Sequence, residues 1–600
     1  MSMTEQELRT VRERVEAAFA FTFPATLELG WGDALTVICE EDRLAVLAED
    51  RAYLARGLFL LRGMLRRGER GTVRQERHFR SCGAFLDCSR GGVMTVEAAK
   101  KYIDLTAALG MNVFALYIED TYTVPGYPYF GHYRGRYTQE ELRELDAYCA
   151  GYDMELLPCI QTLAHLQQFL QWTPSRELSD TSSCLMAGDE KVYAFLDAAI
   201  ASLRACVRTD RLHIGMDEAH DVGLGRYLQE HGPTDRFRLL TDHLTRVTEL
   251  CKAHGFHPMM WSDMFFRLGS KDGDYYDPEC HVPQRVIDSL PEVDMTYWDY
   301  YHDDEAFYEH MFAEHARMGR RTVFAGGNWT WGGFLPHVKK TEATMYPAMR
   351  VCVRQHVDTV LATMWNDDGN ETDHFLALSG LPIFSEACYL GEGMTKEAVD
   401  RMAEELTGLP REVYEAFGAF FESTQVHYTG KSILYGDLLY HLMPFEPDLR
   451  AAAERSERAA ETVGALRERE ECAFAELLFR LAAGKARAIL AIREAYAAGD
   501  REALRRVAEE ELPRLEEQYR ELERLHRAMW EEHYKRQGWE TMPLRYGAVR
   551  GRMADVKDAL LRYASGELPC LEELEEEALP ATRRYVSIFF TPLVSPQARW

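Results

Sequence analysis

Two adjacent acids, Asp217 and Glu218, are the residues of this sequence best suited to acid–base chemistry. They follow an apolar run of Leu212, Ile214 and Met216, which has the character of a buried strand. Strand ends that deliver acids into a loop are where barrel enzymes carry their catalytic groups. Neighbouring carboxyl groups repel and differ in surroundings, so one can stay ionised while the other keeps a proton near neutral pH. We therefore predict a catalytic pair, although Asp-Glu is also a common surface sequence.

Tryptophans recur where other apolar runs end. Trp261, Trp298, Trp329 and Trp365 lie at or just after such ends, and Trp331 follows two residues after Trp329. A single tryptophan is more often a core residue than a ligand contact, but several beside acids at one mouth are different. The C–H faces of sugar rings pack on aromatic planes, while carboxylates and amides bind hydroxyl groups. The pattern favours a carbohydrate ligand.

The spacing of the two acids limits the chemistry. Cleavage of a glycosidic bond needs a protonated acid for the leaving oxygen and a group that stabilises the oxocarbenium-like carbon. Asp217 and Glu218 are too close in sequence to flank the bond as acid and enzymic nucleophile in the usual retaining geometry. One could instead protonate the leaving group while the other holds a 2-acetamido group, whose carbonyl oxygen attacks C1 to form an oxazolinium ion.

Eight short apolar runs predict the strands that would position these residues. They span residues 83–87, 112–118, 155–160, 212–216, 257–261, 293–298, 322–325 and 359–365. Each gap leaves room for a helix, so the strands should be parallel and close into a (β/α)₈ TIM barrel, an α/β fold. A doubly wound open sheet is the alternative, but no Gly-x-Gly-x-x-Gly turn follows an early strand.

The barrel interpretation requires functional side chains directly after the strands. In chain order these segments hold Arg90, Glu119-Asp120, His165, Asp217-Glu218, Asp263, Trp298 to Tyr301, Asn328 to Trp331 and Trp365 to Asp368. We therefore expect them to gather around one site.

The barrel is predicted to have a domain on each side. Residues 1–78 should form a small α/β domain, with helices at 5–21 and 45–67 and strands at 26–29 and 35–39; the barrel then spans 79–385. Residues 386–600 should form an α-helical C-terminal domain, rich in Ala, Glu, Arg and Leu, with a last strand or extended segment at 585–592. A homodimer stays open as an alternative.

Composition limits the partners and the compartment. The net charge of -28 disfavours nucleic acid and anionic lipid, both of which need basic protein surface. The thirteen cysteines contain no Cys-x-x-Cys pair and are expected to be reduced. The N-terminus has no apolar signal segment, and no apolar run is long enough to span a membrane. We expect a cytoplasmic protein that acts on an uncharged or cationic small ligand.

Several segments resemble glycoside hydrolase family 20, the β-N-acetylhexosaminidases. The stretch from His213 to Glu218 (His-Ile-Gly-Met-Asp-Glu) is similar to the family's His-x-Gly-Gly-Asp-Glu signature. Residues 112–120 resemble its second strand, which ends in an aspartate, and 157–165 its third, which ends in a histidine. Residues 365–367 resemble its last-strand Trp-x-Glu. The domain order resembles that of the intracellular bacterial exo-acting members.

The resemblance implies roles for individual residues. Glu218 would be the general acid and then the base, and Asp217 would orient the acetamide. Asp120 and His165 would form a hydrogen-bonded relay to Glu218. The terminal sugar would be lined by Trp365 and Asp367, together with the aromatic residues Trp261, Trp298, Trp329 and Trp331. No cofactor or metal is implied.

Two departures from the family pattern need substitutes. The family's tyrosine on the acetamide carbonyl usually follows the seventh strand, where this chain has none, so Tyr300 is the expected replacement and Tyr301 the reserve. The family's arginine before the first-strand aspartate corresponds to Cys82, so Arg90 or Arg80 would have to grip the sugar hydroxyls.

The predicted activity is an exo-β-N-acetylhexosaminidase that releases terminal β-linked N-acetylglucosamine or N-acetylgalactosamine with retention. Two alternatives stay open: a retaining glycosidase in which Asp367 is the nucleophile, and a non-catalytic sugar-binding protein. His213, Asp217, His220 and Asp221 could be read as a metal cluster, but their spacing is not that of a zinc motif.

Overall fold

The computed structural model of the protein describes residues 3–367, 369–421, 429–440, 442, 448–576 and 590. The chain begins with a small unit of two helices and a four-stranded sheet. Its elements are α1 (Glu5–Ala18), β1 (Glu28–Trp31), β2 (Leu35–Cys39), β3 (Leu44–Ala48), α2 (Arg51–Arg67) and β4 (Gly71–Gln75). The strand order is β1-β3-β2-β4, in which only the β1–β3 pair is parallel. Helix α2 covers this sheet, and at Gly57 an added Cβ would lie 2.4 Å from Val46.

The prediction of one helix over residues 45–67 was wrong. Leu44–Ala48 is strand β3, and its apolar run pairs with β1 on one side and β2 on the other. The helix starts only after Asp50, whose side chain accepts a hydrogen bond from the Tyr53 amide as an N-cap. Strand β4 was not predicted from the sequence.

Eight parallel strands close into a barrel, as predicted. They are β5 (Ser81–Asp87), β6 (Val113–Tyr117), β7 (Glu155–Cys159), β8 (Arg211–His213), β9 (His257–Trp261), β10 (Asp294–Asp299), β11 (Thr322–Gly327) and β12 (Thr359–Met364). Strand β12 pairs with β5 to complete the ring. All eight predicted runs correspond to barrel strands, but β8 ends at His213 and not at Met216, because the chain turns there.

Helices surround the barrel and follow its strands. They are α3 (Val96–Ala108), α4 (Gln139–Ala150), α5 (Gln167–Leu170), α6 (Glu190–Arg204), α7 (Arg226–His231), α8 (Arg236–Ala253), α9 (Asp263–Gly269), α10 (Gln284–Ile287), α11 (Glu305–Arg317), α12 (Val338–Arg354) and α13 (Leu381–Leu390). Short 3₁₀ turns lie at Thr173–Leu178, His374–Gly380 and Gly391–Gly393. Connections of this kind make the parallel strand order possible.

The C-terminal region is helical, as predicted. Its helices are α14 (Lys396–Thr407), α15 (Arg411–Phe417), α16 (Thr429–Tyr435), α17 (Leu449–Gly464), α18 (Glu470–Ala497), α19 (Arg501–Arg506), α20 (Leu512–His533), α21 (Thr541–Ser565) and α22 (Glu572–Glu575), with a 3₁₀ turn at Gly418–Phe420 and a π turn at Val507–Glu511. The segment 585–592, predicted as a last strand or extended segment, lies almost wholly outside the described residues. Within the described ranges, no helix combines the length and apolar character needed to cross a bilayer.

Buried ion pairs join the helical region to the last barrel loop. Glu371, in the loop after β12, forms ion pairs with Lys431 (2.5 Å) and Arg545 (2.5 Å). Asp373 lies 2.5 Å from the Nδ1 atom of His533 at the end of α20. Burial favours neutral carboxyl groups, but Lys431 and Arg545 hold the pKa of Glu371, and the contact with His533 holds that of Asp373, below the usual range. The two domains therefore share a charged interface that is closed to solvent.

Candidate active site

A cavity of about 850 Å³ lies at the C-terminal ends of the barrel strands. Its lining residues from the barrel loops are Ser89, Arg90, Gly91, Glu119, His132, Tyr133, Arg134, His165, Gln167, Gln168, Gln171, Trp172, Asp217, Glu218, Trp261, Trp298, Tyr300, Tyr301, Trp331, Trp365, Asp367 and Gly369. The helical region adds Gly538, Glu540, Thr541 and Arg545. The end of the barrel that holds this cavity is the one where enzymes of this architecture carry their chemistry.

Asp217 is held as a carboxylate at the base of the cavity. Its Oδ2 atom lies 3.1 Å from His165 Nε2, and its Oδ1 atom accepts a hydrogen bond of 2.6 Å from Gln161. Burial favours a neutral group, yet His165 and Gln161 lower the pKa of Asp217 to about 2. Burial opposes the charge on His165 as well, but Asp217 raises the pKa of His165 to about 9. Near neutral pH the two side chains form an ion pair.

A tight turn after β8 aims both acids into the cavity. Gly215, Met216 and Glu218 have φ values of +71°, +73° and +49°, in the left-handed region that favours glycine. At Gly215 a Cβ would lie 2.2 Å from the Gln161 side-chain oxygen, so only glycine fits there. The same oxygen accepts a hydrogen bond from the Met216 amide, and the Met216 side chain is fully buried. Backbone strain of this kind clusters at functional sites.

Glu218 is the more exposed acid of the pair, with 37% of its side chain accessible against 14% for Asp217. Its Oε1 atom accepts a hydrogen bond of 2.8 Å from the Tyr275 hydroxyl, and its Oε2 atom lies 3.5 Å from His165 Nε2. The Tyr275 hydroxyl is also 2.9 Å from His220 Nε2. Glu218 is therefore open to a ligand on one side and oriented by a tyrosine on another.

A third acid, Asp263, lies directly behind the pair. Its Oδ2 atom accepts a hydrogen bond of 3.0 Å from the backbone amide of Glu218, and the residue is fully buried. Its Oδ1 atom has no hydrogen-bond partner among the described residues. Burial, together with the negative charge of Asp217, raises the pKa of Asp263 well above its usual value. The neutral side chain of Asp263 therefore supports the backbone of Glu218.

Aromatic side chains form much of the cavity wall. Trp261, Trp298, Tyr300, Trp331 and Trp365 all line it. Trp298 and Tyr300 are stacked with ring centroids 5.1 Å apart, and Trp261 lies 5.9 Å from Trp365. The indole nitrogen of Trp261 is buried and finds no acceptor in the described part of the chain. These rings offer apolar faces to a ligand in the cavity.

Trp329 does not line the cavity, and this expectation was wrong. The residue is fully buried, and its ring stacks against Trp331 at a centroid distance of 4.1 Å. Its indole nitrogen donates a hydrogen bond of 3.0 Å to the Tyr300 carbonyl. The ring therefore supports Trp331 and Tyr300 from behind.

The expected relay through Asp120 is not formed. The Oδ1 atom of Asp120 accepts a hydrogen bond of 3.0 Å from Arg134, and the residue is buried away from the cavity. The neighbouring Glu119 lines the cavity instead, and burial raises its pKa although the charges of Arg90 and His165 oppose this shift. Strand β6 ends at Tyr117, and the chain turns with φ +24° at Glu119, so strand alternation no longer decides which acid points inward.

Of the two candidate arginines, Arg90 lies in the cavity. Its guanidinium is 3.2 Å from Asp87 and 3.7 Å from Glu119, and it lies over the ring of Tyr117. Arg80 lies at the opposite end of the barrel, in a separate cleft at the starts of the strands. Arg90 is thus fixed by two acids and an aromatic face while it lines the cavity.

Asp367 also lines the cavity. Desolvation within the cavity and the nearby carboxylates of Asp87 and Glu218 raise its pKa to about 6, although Arg90 opposes this shift. Asp367 therefore gains a proton more readily than Asp217.

Sequence reasoning placed Glu119 among the residues after the strands but gave the role to Asp120, and it missed Tyr275 and the residues of the helical region that reach the cavity. Tyr275 is 57 residues from Glu218, and no short-range pattern links the two. Thr541 and Arg545 sit on the first turns of α21, in a segment that reads as an ordinary helix.

The disfavoured alternative was a metal cluster of His213, Asp217, His220 and Asp221. Within the described residues, no three histidine, cysteine, aspartate or glutamate side chains are arranged to hold a metal ion. The ring of His213 is buried, lies 3.1 Å from the Thr296 hydroxyl, and has a pKa lowered by burial to about 3. It is a neutral structural histidine.

Comparisons with known proteins identify two family segments. Residues 79–282 match the glycosyl hydrolase family 20 catalytic domain, and residues 422–587 match the glycoside hydrolase 20C C-terminal domain. Hexosaminidase D of Homo sapiens is 25% identical over 221 residues, which cover 35% of this chain and 43% of that protein. Hexosaminidase D of Bos taurus is 25% identical over 242 residues, which cover 38% of this chain and 63% of that protein. The matched part is therefore less than two thirds of either relative.

A solved structure shares the fold. The family 20 β-N-acetylhexosaminidase of Streptomyces coelicolor A3(2) superposes with a TM-score of 0.51 at 17% identity, over 68% of this chain and 91% of that one. The matched segments contain the barrel loops that carry Asp217 and Glu218, together with most of the helical region that follows the barrel. The chain therefore belongs to glycoside hydrolase family 20, a hexosaminidase family of glycoside hydrolases.

Proposed function

We propose that the protein is an exo-β-N-acetylhexosaminidase that removes a terminal N-acetylglucosamine or N-acetylgalactosamine by substrate-assisted catalysis with retention. The observation that carries this proposal is the unequal environment of the two acids. Asp217 is held ionised by His165 and Gln161, whereas Glu218 faces the cavity and accepts a hydrogen bond from Tyr275.

The roles follow from these environments. Glu218 protonates the leaving oxygen and then removes a proton from the attacking water. Asp217 accepts the acetamide N–H, while the acetamide oxygen attacks C1 and positive charge develops on the resulting oxazolinium ion. A permanent carboxylate stabilises that charge best, and the low pKa of Asp217 supplies one over the whole working range of pH.

The surrounding residues support binding of one sugar. Trp261, Trp298, Trp331 and Trp365 supply ring faces, and Arg90 and Asp367 lie where hydroxyl groups would need polar partners. Tyr300 is the tyrosine we assign to the acetamide carbonyl, because it lines the cavity beside Trp298. His165 keeps Asp217 ionised by direct contact, without the relay through Asp120 that the resemblance implied.

Asp367 as an enzymic nucleophile is the competing mechanism within the same enzyme class. A nucleophilic carboxylate must be ionised, and the raised pKa of Asp367 works against this role below about pH 6. The substrate-assisted route uses the acid that is always ionised, and we favour it for that reason.

The deciding experiment compares nitrophenol release from the β-N-acetylglucosaminide, the β-N-acetylgalactosaminide and the plain β-glucoside by the purified protein. We expect cleavage of the acetamido sugars only, and Asp217→Asn should lower kcat on the order of a hundredfold with a smaller effect on KM. Cleavage of the plain glucoside at a similar rate would favour Asp367 as nucleophile. A folded protein that cleaves none of the three would favour a sugar-binding function.

A further inference from the structure

The hydrogen bond from Tyr275 to Glu218 continues to a third residue, His220. The Tyr275 hydroxyl oxygen lies 2.8 Å from Glu218 Oε1 and 2.9 Å from His220 Nε2. Glu218 is among the residues that line the cavity, whereas Tyr275 and His220 are not. The two outer residues can therefore influence a reaction in the cavity only through Glu218.

The backbone after the acid pair places the His220 ring beside Tyr275. Glu218 has a φ of +49°, and its carbonyl accepts a hydrogen bond of 2.6 Å from the His220 amide, so the chain turns back at Ala219. Arg236 on α8 donates hydrogen bonds to the carbonyls of Ala219 (3.3 Å) and His220 (2.5 Å). The ring of His220 then lies with its centroid 5.8 Å from that of Tyr275. Because backbone contacts hold the turn, the His220 side chain can be changed without losing it.

Tyr275 is fixed by aromatic and cationic neighbours, and its hydroxyl keeps its proton. Its ring centroid lies 5.2 Å from that of Trp298 and 5.1 Å from the guanidinium carbon of Arg267. Burial and the negative charge of Glu218 raise the pKa of Tyr275 above its usual value of 10. A hydroxyl carries a single proton, so Tyr275 can donate to Glu218 or to His220 but not to both at once.

The protonation of the His220 ring decides between these two directions. Burial and the charge of Arg267 lower the pKa of His220 below its usual 6.5, although Glu218 opposes this shift, so the ring is neutral near pH 7. A neutral imidazole has one N–H and one bare nitrogen. If Nε2 carries the proton, the Tyr275 oxygen accepts from His220 and its own proton turns to Glu218. If Nε2 is bare, the ring competes with Glu218 for the tyrosine proton.

The carboxylate of Glu218 favours the first arrangement, because an ionised acceptor forms the stronger hydrogen bond. The same arrangement has to persist when Glu218 carries its proton as the acid. The Nε2–H of His220 then prevents the tyrosine proton from turning away. With Oε1 occupied by Tyr275, Oε2 is the oxygen that stays available to a leaving group.

We propose that His220 is a positioning residue of the catalytic acid: its Nε2–H donates to the Tyr275 hydroxyl, which directs the tyrosine proton to Glu218 Oε1 and reserves Oε2 for the transferred proton. The proposal rests on the proposed function, since it concerns the acid of that reaction. In the first step the Oε2–H bond breaks and its proton passes to the glycosidic oxygen as the bond from C1 to that oxygen breaks. In the second step water adds to C1 and returns a proton to Oε2. Tyr275 and His220 keep their protons throughout.

Two amide side chains at position 220 test the role of Nε2. The amide nitrogen of glutamine lies as many bonds from Cα as Nε2 of histidine, whereas that of asparagine corresponds to Nδ1. On methyl β-N-acetylglucosaminide, His220→Asn should lower kcat about tenfold and change KM less than about twofold, and His220→Gln should recover most of this loss. On the dinitrophenyl glycoside, which leaves without protonation, both variants should keep kcat/KM within about twofold of the wild-type protein. Normal cleavage of this second substrate also shows that the variant has an intact cavity.

A double-mutant cycle tests whether His220 acts through the Tyr275 hydroxyl. Once Tyr275→Phe has removed that hydroxyl, adding His220→Asn should cause no further loss on the methyl glycoside. His254→Asn is the matched control, since this histidine caps α8 and does not line the cavity, and it should retain both activities.

The possible results separate this proposal from the proposed function. Losses that multiply to about a hundredfold in the double variant would overturn the role of His220. So would wild-type rates from His220→Asn on the methyl glycoside, equal losses on both substrates, or a His220→Gln variant as slow as His220→Asn. In each of these cases the proposed function stands. If the wild-type protein cleaves neither glycoside, the proposed function is refuted and the role of His220 with it.

Discussion

The Nε2 atom of His165 lies 3.1 Å from the Oδ2 atom of Asp217. Asp217 is the carboxylate we propose for catalysis, and the same ion pair makes the free energy of unfolding depend on pH. His165 has a folded pKa of about 9, above its usual 6.5, so its contribution to stability is complete below about pH 6.5 and is lost as pH rises through 9. Asp217 has a folded pKa of about 2, below its usual 3.8, so its contribution is present above about pH 3.8 and is lost as pH falls through 2.

His165→Gln should therefore be least stable, relative to the wild-type protein, between about pH 4 and 6.5. The difference in Tm between the two proteins should shrink as pH rises from about 6.5 to 9.5, because the wild-type ion pair is lost there while the variant has none. Thermal unfolding followed by circular dichroism at several pH values measures this difference. A constant difference in Tm across that range would contradict the ion pair.

Glu218→Gln should lose activity in proportion to how much the leaving group needs a proton. We expect a fall of about 10²- to 10⁴-fold on methyl or sugar aglycones and a much smaller fall on dinitrophenol, which leaves without protonation. Steady-state kinetics on such a series of N-acetylglucosaminides provides the measurement. The same loss on every leaving group would remove Glu218 from the acid role.

Tyr275→Phe should weaken the orientation of Glu218 without unfolding the protein. The change removes the 2.8 Å hydrogen bond to Oε1 but keeps the ring, which packs against Trp298 at 5.2 Å. We expect kcat to fall about tenfold with KM nearly unchanged, because the lost bond orients the acid and does not bind the sugar. Tyr129→Phe, a change to an exposed tyrosine that does not line the cavity, is the control and should retain full activity.

Asp263→Asn should stabilise the protein at neutral pH. The folded pKa of Asp263 is raised well above its usual 3.8, so the folded state holds a proton that the unfolded state releases, and stability falls as pH rises above about 4. Asparagine keeps an acceptor for the Glu218 amide and removes this dependence. The Tm of the variant should exceed that of the wild-type protein near pH 7, and the gap should close near pH 4. Asp263→Ala, which lacks the acceptor, should lose both stability and activity.

The barrel was predictable because its strands are continuous apolar runs with acids and tryptophans directly behind them. The same pattern predicts that Asp217, Glu218, Trp298 and Trp365 lie at one end of the barrel, and all four line the cavity there. The errors begin where a strand ends and regular alternation stops. The choice between Asp120 and Glu119 depends on a turn at φ +24°, which no periodicity encodes.

Contacts between distant segments were beyond sequence reasoning for a similar reason. Trp329 and Trp331 flank Thr330, and the sequence does not distinguish their roles. Tertiary packing puts the ring of Trp329 behind that of Trp331. The bond from Tyr275 to Glu218 depends on a loop after β9, and the helical residues that reach the cavity depend on how α21 docks.

The buried pairs of Glu371 and Asp373 with the helical region have a consequence for how the chain loses its structure. If the helices detached alone, Glu371 would lose Arg545 and Lys431, and Asp373 would lose His533, so both carboxylates would give up the contacts that stabilise their charge. Separation is therefore costly, and the catalytic barrel and its helical neighbour should melt as one cooperative unit. Calorimetry should record a single transition, and two well-separated transitions would show that the domains are independent.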